Sequence, residues 1–310
     1  MHSSASTCRT DVDADIALHD LLDVERLMAD AIESGDGADR LGMNIAKIAA
    51  LHHLNAGGQR TRSRLAVDSA HCLGLTARDG IALAATAELL HNASLIHDDL
   101  QDRDKVRRDD ATVRVAYGDE IAICAGDLLL SAAYATVADV SCADMLPLLV
   151  KLVHSRIAQA IGGQCAGFSP ASDNPFNGDA YLKIATAKSG ALLGLPVELA
   201  LLAGGYHGAL HATRTTADSF AAGHQIYDDL CDFEIGLARD AAAPVMDIVL
   251  VLQENNAMST HEAWEAAQKL GLRHLETAAT SSTDPPRQSG RLFQKMANDL
   301  HSGLNDKCIQ

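Results

Sequence analysis

Aromatic residues and proline are scarce in this chain of 310 residues. Phe, Trp and Tyr together make up 4% of the sequence, and there are 7 prolines. Segments with strand-like alternation of polar and apolar residues are scarce too, whereas Ala and Leu dominate a hydrophobic content of 47%. Ala and Leu are strong helix formers. The composition therefore argues against a β-sheet protein and predicts an all-α fold of closely packed helices.

The cysteines lack the pattern of a disulfide framework or a zinc site. The 7 cysteines are scattered, and no C-x-x-C occurs. Such a set is typical of a reducing compartment, so we expect a cytoplasmic protein. The N-terminus lacks the basic-then-apolar order of a signal peptide, and we expect no apolar run of about 18 residues that could span a bilayer. The sequence predicts a disordered leader at residues 1–15 and a single all-α domain at residues 16–310, not an integral membrane protein.

Positive charge is also in short supply. Lys and Arg number 25 against 41 Asp and Glu, which gives a formal net charge of −16. No basic stripe offsets this excess, so we expect neither nucleic acid nor an anionic membrane surface as a partner. An anionic substrate would need local help from metal ions and from clustered arginines.

A duplicated group of aspartates is the most informative feature. The first cluster is Asp98, Asp99 and Asp102, and the second cluster is Asp228, Asp229 and Asp232. Residues four apart share a helix face, so the first and last carboxylate of each cluster would form a pair across one turn. Oxygen ligands without His or Cys suit Mg²⁺, which typically takes one or two carboxylates plus substrate phosphates. The clusters predict a magnesium site for a phosphate or diphosphate; the alternative is two solvated acidic helix faces.

Basic residues are concentrated near the first cluster. A glycine pair at 57–58 precedes alternate arginines within residues 60–64, and an arginine pair at 107–108 follows the acids. Arg can hold phosphate oxygens bidentately, and Gly lets backbone N–H groups approach the same anion. These groups predict phosphate binding, although residues 57–64 alone would also fit a solvent-facing basic loop. His91 and Lys188 lie in apolar helical segments; a hydrogen-bonded core histidine and a snorkelling lysine are the alternatives to ligand binding.

The apolar periodicity predicts a succession of helices. Thr76 is the predicted N-cap of the helix that leads to the first cluster, and Asp179 that of the helix with Lys188. Predicted loops are residues 169–178 and 234–244. The other predicted helices are 16–32, 41–54, 117–140, 146–163, 216–233, 245–253, 260–278 and 291–301.

Taken in order, these motifs resemble the trans-isoprenyl diphosphate synthases, the polyprenyl synthetase family. The resemblance covers roughly residues 40–235. Residues 57–62 resemble the family's G-G-K-R-x-R, residues 91–102 its first aspartate-rich motif, residues 125–129 its A-G-D-x-L-L, residues 181–192 its Y…K-T-x-x-L, and residues 224–232 its second aspartate-rich motif.

The resemblance implies an isoprenoid synthase-type helical bundle around a central cavity, usually homodimeric. It implies that three Mg²⁺, bound by Asp98, Asp102 and Asp228, clamp the diphosphate of an allylic substrate. The implied catalytic set is Asp98, Asp99, Asp102, Asp228, Asp229, Asp232 and Lys188. The implied allylic contacts are Arg107, Lys188, Ser189 and Gln225, and the implied contacts to isopentenyl diphosphate are Gln59, Arg60, His91 and Arg108.

The implied reaction condenses an allylic prenyl diphosphate with isopentenyl diphosphate, head-to-tail, to a longer trans-polyprenyl diphosphate. The prenyl tail should run back along the helix of the first cluster, past Ala93 and Ser94 one turn before Asp98. Their small side chains leave room for a product of roughly twenty carbons or more, because the tail meets no bulky side chain one turn from the acids.

Two departures from the family pattern keep other functions open. Gln59 stands where the family has a Lys that contacts isopentenyl diphosphate, so a charge-assisted hydrogen bond worth about 1.5–3 kcal/mol becomes one nearer 1 kcal/mol. Residues 234–247 are shorter than in the family and contain no Lys, although Arg239 could substitute. The alternatives are a prenyl synthase-like terpene synthase that cyclises or quenches the allylic cation, and a non-catalytic subunit of a heteromeric synthase.

Overall fold

A computed structural model of the protein describes residues 5–34, 44–168, 177–239 and 247–307. Within these ranges almost every residue is helical, and the strands are a short antiparallel pair, β1 (Val106–Arg107) and β2 (Asp110–Ala111). The prediction of an all-α fold is confirmed.

Thirteen α-helices are found in the described ranges. They are α1 Ala5–Glu33, α2 Ile45–Asn55, α3 Thr61–Leu73, α4 Ala77–Asp102, α5 Val113–Tyr117, α6 Asp119–Val137, α7 Leu146–Phe168, α8 Gly178–Ala185, α9 Ala191–Ala203, α10 Leu210–Arg239, α11 Ile248–Asn256, α12 Thr260–Ser281 and α13 Arg291–Asn305. A π-helix, Thr186–Gly190, connects α8 to α9.

The chain divides into two compact units. Unit 1 comprises Met1–Leu152 with Leu199–Gly205, and unit 2 comprises Val153–Glu198 with Tyr206–Gln310. The first cluster belongs to unit 1 and the second cluster to unit 2. A single domain and a central cavity remain predictions.

Helix α4 forms the core of unit 1, where α6, α3 and α1 pack against it. It is rich in alanine, and Ala82 and Ala84 are at most 1% exposed. Small side chains allow neighbouring helices to approach closely. Thr76 is the N-cap, as predicted, because its hydroxyl accepts a hydrogen bond from the Asp79 N–H at 3.1 Å. The buried helix thus carries the first cluster on its last turns.

Helix α10 forms the core of unit 2 and packs against α12, α13, α11 and the π-helix. Its contact with α12 depends on a small residue, because a Cβ at Gly223 would lie 2.6 Å from Cγ of Leu275. Helix α12 begins with a capping box, in which Ser259 and Glu262 satisfy each other's backbone N–H groups. The second cluster lies in the interior of α10 rather than at its end.

Several predicted boundaries are wrong. Helix α1 begins at Ala5, inside the predicted leader, because a polar composition does not prevent a helix from extending beyond its apolar part. Helices α7 and α10 continue to Phe168 and Arg239, past the predicted ends at 163 and 233. A glycine in a helix costs only about 1 kcal/mol, so the glycines there do not end either helix. Residues 169–176 and 240–244 of the two predicted loops lie outside the described residues, as do the first two residues of the predicted helix 245–253.

We expected no apolar run of about 18 residues that could span a membrane. By the criteria of length and composition alone, this expectation is wrong. Two helical stretches, Asp119–Val137 and Gly178–Ala203, are long and apolar enough. However, 44% and 72% of the residues in their most apolar windows are buried inside the protein. Core helices of soluble proteins pass the same test, so these stretches are weak grounds for a membrane protein.

A buried ion pair joins α7 to α9 within unit 2. Arg156 donates hydrogen bonds from Nε and Nη2 to the two carboxylate oxygens of Glu198, at 2.6 and 2.7 Å. Glu198 is 1% exposed, and Arg214 of α10 donates to it as well, at 2.6 Å. Removing one partner of a buried pair leaves the other charge unsolvated and uncompensated.

We expect Glu198→Leu to lower the free energy of unfolding by about 3–5 kcal/mol, because Arg156 is then a buried charge without its main partner. Urea unfolding followed by circular dichroism measures this change. The control is Glu265→Leu, which breaks an exposed pair with Lys269 (3.2 Å) and should cost less than about 1 kcal/mol. Equal effects of the two substitutions would contradict a stabilising role of the buried pair.

Candidate active site

The first cluster separates into outward and inward carboxylates. Asp98 is half-buried and Asp102 is exposed, whereas Asp99, one residue along the helix, is 1% exposed. Arg107 places Nε and Nη2 at 2.6 and 2.5 Å from Oδ1 of Asp99. Burial raises the pKa of Asp99, and the Arg107 guanidinium opposes that rise. Asp99 therefore anchors Arg107, while the outer pair remains accessible to a ligand.

A tight hairpin brings Arg107 to Asp99. Strands β1 and β2 are joined by Arg108 and Asp109, whose φ angles are +55° and +68°. Positive φ at both central residues is the signature of a type I′ turn, which matches the twist of a two-residue hairpin. Left-handed backbone at a non-glycine residue costs about 1–3 kcal/mol, so surrounding contacts must hold this turn in place.

Arg108, at the tip of that hairpin, packs on the glycine pair. Its Nη1 donates a hydrogen bond to the carbonyl oxygen of Gly57. Gly58 has a φ of +136°, and a Cβ there would lie 2.6 Å from Cζ of Arg108. The glycine pair therefore provides space as well as flexibility, because any larger residue at position 58 would displace the Arg108 guanidinium.

The arginines of unit 1 lie near two histidines, the buried His53 and the half-buried His91. Burial, followed by the charges of Arg62 and Arg108, lowers the pKa of His91 well below its usual value. Burial, followed by the charges of Arg108 and Arg107, lowers the pKa of His53 to about 3. Both imidazoles are therefore neutral at pH 7. The positive charge of this region therefore comes from the arginines. We call the group formed by Arg60, Arg62, Arg107, Arg108, His53 and His91 the cationic pocket.

Glu88 is the buried counter-charge on α4. Its Oε2 accepts hydrogen bonds from the backbone N–H and the hydroxyl of Ser63, at 3.1 and 2.9 Å. Ser63 lies in the first turn of α3, so Glu88 satisfies a helix N-terminus that the preceding Arg60 does not cap. The same carboxylate lies 3.7 Å from Nη1 of Arg60 and raises the pKa of Arg62, which burial lowers to about 10.

The second cluster repeats the division into outward and inward carboxylates. Asp228 is about half-exposed and Asp232 is exposed, whereas Asp229 is 6% exposed. Asp229 accepts hydrogen bonds from the Tyr181 hydroxyl at 2.6 Å, the Gln225 amide at 2.8 Å and the backbone N–H of residue 248 at 3.0 Å. Burial raises the pKa of Asp229 to about 6 against the lowering effect of these donors. Asp229 thus ties α8 and the start of α11 to α10.

The outer Asp228 has a partner on its own helix. Nδ1 of His224 lies 2.9 Å from Oδ2 of Asp228, and both side chains are about half-exposed. In the middle of α10, this pair leaves the carboxylate open to solvent. Gln225 was predicted to contact substrate, and its amide nitrogen donates instead to Asp229 in this structure.

Lys188 and Ser189 lie on the π-helix, which the sequence did not predict. Both side chains are half-buried. A Cβ at Gly163 of α7 would lie 2.5 Å from the backbone nitrogen of Lys188, so the glycine allows the two backbones to touch. Short π-helical turns occur frequently at functional sites. The N-cap of α8 before it is Asn177, which accepts from the Ala180 N–H at 2.9 Å, and the prediction of Asp179 is wrong.

The remaining predicted site residues lie in unit 1. Gln59 is exposed, Ala93 is 2% exposed, and the hydroxyl of Ser94 donates to the carbonyl oxygen of His91 at 2.7 Å. The Arg60 guanidinium donates to the Leu54 carbonyl at 2.9 Å and to Glu25 at 3.2 Å. Acceptors within the protein thus take up much of the hydrogen-bonding capacity of the Arg60 guanidinium.

Three residues of this pocket escaped the sequence analysis: Arg62, His53 and Glu88. Arg62 was visible as the last arginine of the G-G-x-R-x-R motif, yet alternate arginines give no sign of which one turns inward. Glu88 and His53 carried no signal, because a polar residue in an apolar helix is as often structural as functional.

Carboxylate oxygens of the outer pairs fit Mg²⁺ as a ligand type. In the described part of the chain, no group of three or more His, Cys, Asp or Glu side chains converges into a metal-binding cage. Magnesium usually binds through one or two carboxylates and completes its shell with water and substrate phosphates. Pairs such as Asp98 with Asp102 therefore fit a cation that arrives with a diphosphate.

We expect Gly58→Ala to weaken binding of inorganic pyrophosphate, because the new methyl group displaces the Arg108 guanidinium. Gly57→Ala is the matched control: its φ is +76°, so it carries backbone strain, but a Cβ there meets no atom within 4 Å among the described residues. Calorimetric titration with pyrophosphate and Mg²⁺ measures affinity, and thermal unfolding measures stability. Equal losses of affinity in both variants would show that strain alone, not Arg108, is responsible.

Comparison with known proteins agrees with this arrangement. A family model described as polyprenyl synthetase matches residues 44–242. The geranylgeranyl pyrophosphate synthase of Geoglobus acetivorans is 33% identical over 189 residues, which are 59% of this chain and 58% of that protein. The nonaprenyl diphosphate synthase of Mycobacterium tuberculosis is 28% identical over 227 residues, 73% of this chain and 64% of that protein.

The fold has solved counterparts. The geranylgeranyl pyrophosphate synthetase of Pyrococcus horikoshii aligns with a TM-score of 0.77 at 18% identity, over 93% of this chain and 97% of that one. In sequence, the alignments span a little more than half the length of the first curated relatives. The family model, however, covers well over half of this chain and includes both aspartate clusters, so the chain belongs to the polyprenyl synthetase family.

Proposed function

We infer that the protein condenses an allylic prenyl diphosphate with isopentenyl diphosphate, head-to-tail and with Mg²⁺, to a longer trans-polyprenyl diphosphate. Its relatives bear names of prenyl diphosphate synthases with different product lengths, which supports chain elongation as the reaction class. We also propose a cytoplasmic, homodimeric enzyme.

One observation carries the proposal: buried nitrogen atoms in the cationic pocket of unit 1 lack a hydrogen-bond acceptor among the described residues. Nη1 of Arg60, which lies 3.7 Å from a Glu88 carboxylate oxygen, and Nε of Arg62 are buried and have no hydrogen-bond partner among the described residues. A buried unsatisfied donor costs about 1–3 kcal/mol, and more when it is charged. A diphosphate supplies several anionic oxygens. The pocket therefore supports a second diphosphate substrate, which a cyclising enzyme would not need.

The chain's own residues have separable roles in this proposal. Arg62, His91 and Arg108 hold isopentenyl diphosphate, with Gln59 and Arg60 at the edge of the pocket. Asp99 holds Arg107, and Asp229 holds α8 and the start of α11 on α10. Arg107, Lys188, Ser189 and Gln225 surround the allylic diphosphate in this proposal. Three Mg²⁺ held by Asp98, Asp102 and Asp228 would supply positive charge to the diphosphate as it leaves.

The direct test is incubation of the protein with Mg²⁺ and geranyl or farnesyl diphosphate, with and without isopentenyl diphosphate, and identification of the products by mass. We expect a prenyl diphosphate longer by one or more isoprene units, formed only when both substrates are present. Chelation of Mg²⁺ should stop the reaction. Hydrocarbon or alcohol products that form without isopentenyl diphosphate would instead establish the terpene synthase alternative.

The outer aspartates should be indispensable. Asp98→Ala or Asp228→Ala should lower turnover by about a hundredfold or more, because charge stabilisation of the leaving group is lost. The far-ultraviolet circular dichroism should persist. The control Asp284→Ala, at an exposed site of unit 2, should retain full turnover. Normal turnover of either cluster variant would remove the metal assignment.

Product length should respond to the residue one turn before the first cluster. Ala93→Phe should shorten the product, because a phenyl ring on this buried face of α4 would close the path of the tail. Overpacking could cost about 1–3 kcal/mol, so Ser94→Phe, at a half-buried position, is the second variant. Mass analysis of the products, with farnesyl diphosphate as the starter, measures the change. An unaltered product in two folded variants would place the tail elsewhere.

A further inference from the structure

His224 places an imidazole on the acid face of α10, and the proposed function gives it no role. Residues four apart share a helix face, so His224, Asp228 and Asp232 lie in one row along α10. Nδ1 of His224 lies 2.9 Å from Oδ2 of Asp228. An ionised carboxylate can only accept a hydrogen bond, so the proton between these two atoms belongs to Nδ1. The contact therefore engages one of the two carboxylate oxygens of Asp228.

The ring of His224 also contacts the core of unit 2. Its centroid lies 5.9 Å from that of Phe220, which is 3% exposed and one turn earlier on α10. Phe220 in turn packs edge-on against Phe293 of α13, again with 5.9 Å between the centroids. The imidazole is about half-exposed, yet its contact with a buried ring restricts its orientation. Asp228 is thus paired with a donor whose position is largely fixed before any ligand binds.

The first cluster has no equivalent contact from the same position. Ser94 lies four residues before Asp98, and its hydroxyl donates to the carbonyl oxygen of His91 at 2.7 Å. The serine hydroxyl is therefore engaged by its own helix. A hydrogen-bond donor to a metal-binding carboxylate orients that ligand, and the loss of such a partner typically lowers metal affinity by about 10–100-fold. The contact of His224 is of this kind if Asp228 binds metal.

We propose that His224 is a positioning residue for the divalent cation of the second cluster: its Nδ1–H holds Oδ2 of Asp228 and leaves Oδ1 to bind the cation. This inference rests on the proposed function, in which Asp228 binds Mg²⁺. Magnesium demands nearly ideal octahedral geometry. A carboxylate that is already oriented loses less conformational freedom when it binds, so it binds the cation more tightly.

The decisive variant is His224→Phe, which keeps an aromatic ring against Phe220 and removes the donor. Mn²⁺, which also suits oxygen ligands, can be followed by electron paramagnetic resonance. With inorganic pyrophosphate present, the Kd for Mn²⁺ should rise about tenfold or more. Without metal, Tm should change by less than about 2 °C, because a partly exposed pair four residues apart contributes little to stability. A purely structural histidine would show the opposite: a lower Tm with an unchanged Kd.

A second variant and a matched control separate the donor from the ring. His224→Asn carries an N–H donor close to the position of Nδ1, so its Kd for Mn²⁺ should stay within about threefold of wild type. The control is His261→Phe on α12, where Nε2 of His261 lies 3.4 Å from Oε1 of Glu265, also four residues on. It should bind Mn²⁺ as wild type does. An unchanged Kd in His224→Phe, or equal losses in the Phe and Asn variants, would overturn the inference.

A double-mutant cycle tests whether His224 acts through Asp228. In the Asp228→Ala background, His224→Phe should cause no further loss of Mn²⁺ affinity, whereas in the Asp98→Ala background its full effect should persist. A further loss in the Asp228→Ala background would contradict the proposal. If wild-type protein does not elongate prenyl chains, the proposed function fails, and the titration with Mn²⁺ and pyrophosphate still decides the role of His224. If wild type binds no Mn²⁺ in that titration, the inference is wrong.

Discussion

The period of the α-helix decides what each aspartate of the two clusters can do. At 3.6 residues per turn, positions one and five of D-D-x-x-D share a face, and position two lies about 100° away. In both units the outer carboxylates reach solvent and the second one is buried. Asp99 then anchors Arg107, and Asp229 anchors Tyr181 and the start of α11. Each cluster is therefore a ligand-facing pair supported by its own buried neighbour.

The contacts of Asp99 and Glu88 also position the arginines of the cationic pocket. Asp99 fixes the hairpin through Arg107, and the left-handed turn at its tip aims Arg108 at the glycine pair. Glu88 holds the first turn of α3, which carries Arg62, and supplies the negative charge buried beside the arginines. One carboxylate does not satisfy every nitrogen around it. The pocket thus carries an electrostatic cost, and in the proposed function an anionic substrate would remove that cost and gain binding free energy from it.

Local signals were readable from the sequence, and contacts between distant segments were not. Thr76 capped its helix as predicted, and the spacing placed the first and last acid of each cluster on one helix face, which is the more exposed face in the structure. By contrast, the turn at Arg108 and Asp109 contains no glycine, and the π-helix at Lys188 depends on the approach of Gly163 from another helix. The choice between Arg60 and Arg62 likewise depends on the left-handed backbone at Arg60, which directs the first turn of α3. Spacing alone could not distinguish the two.

The proposed binding of anionic substrates by a chain with a net charge of −16 depends on positive charges that are local and partly buried. Exposed acids beyond about 10 Å are screened by salt, whereas partly buried arginines are screened less. The exchange of a lysine for Gln59 weakens this attraction without removing it. A lysine on the surface must lose the freedom of a long side chain when it binds. A buried imidazole with few rotatable bonds has already lost that freedom on folding. Arg107 and Arg108, held by Asp99 and by the Gly57 carbonyl oxygen, are preorganised in the same way.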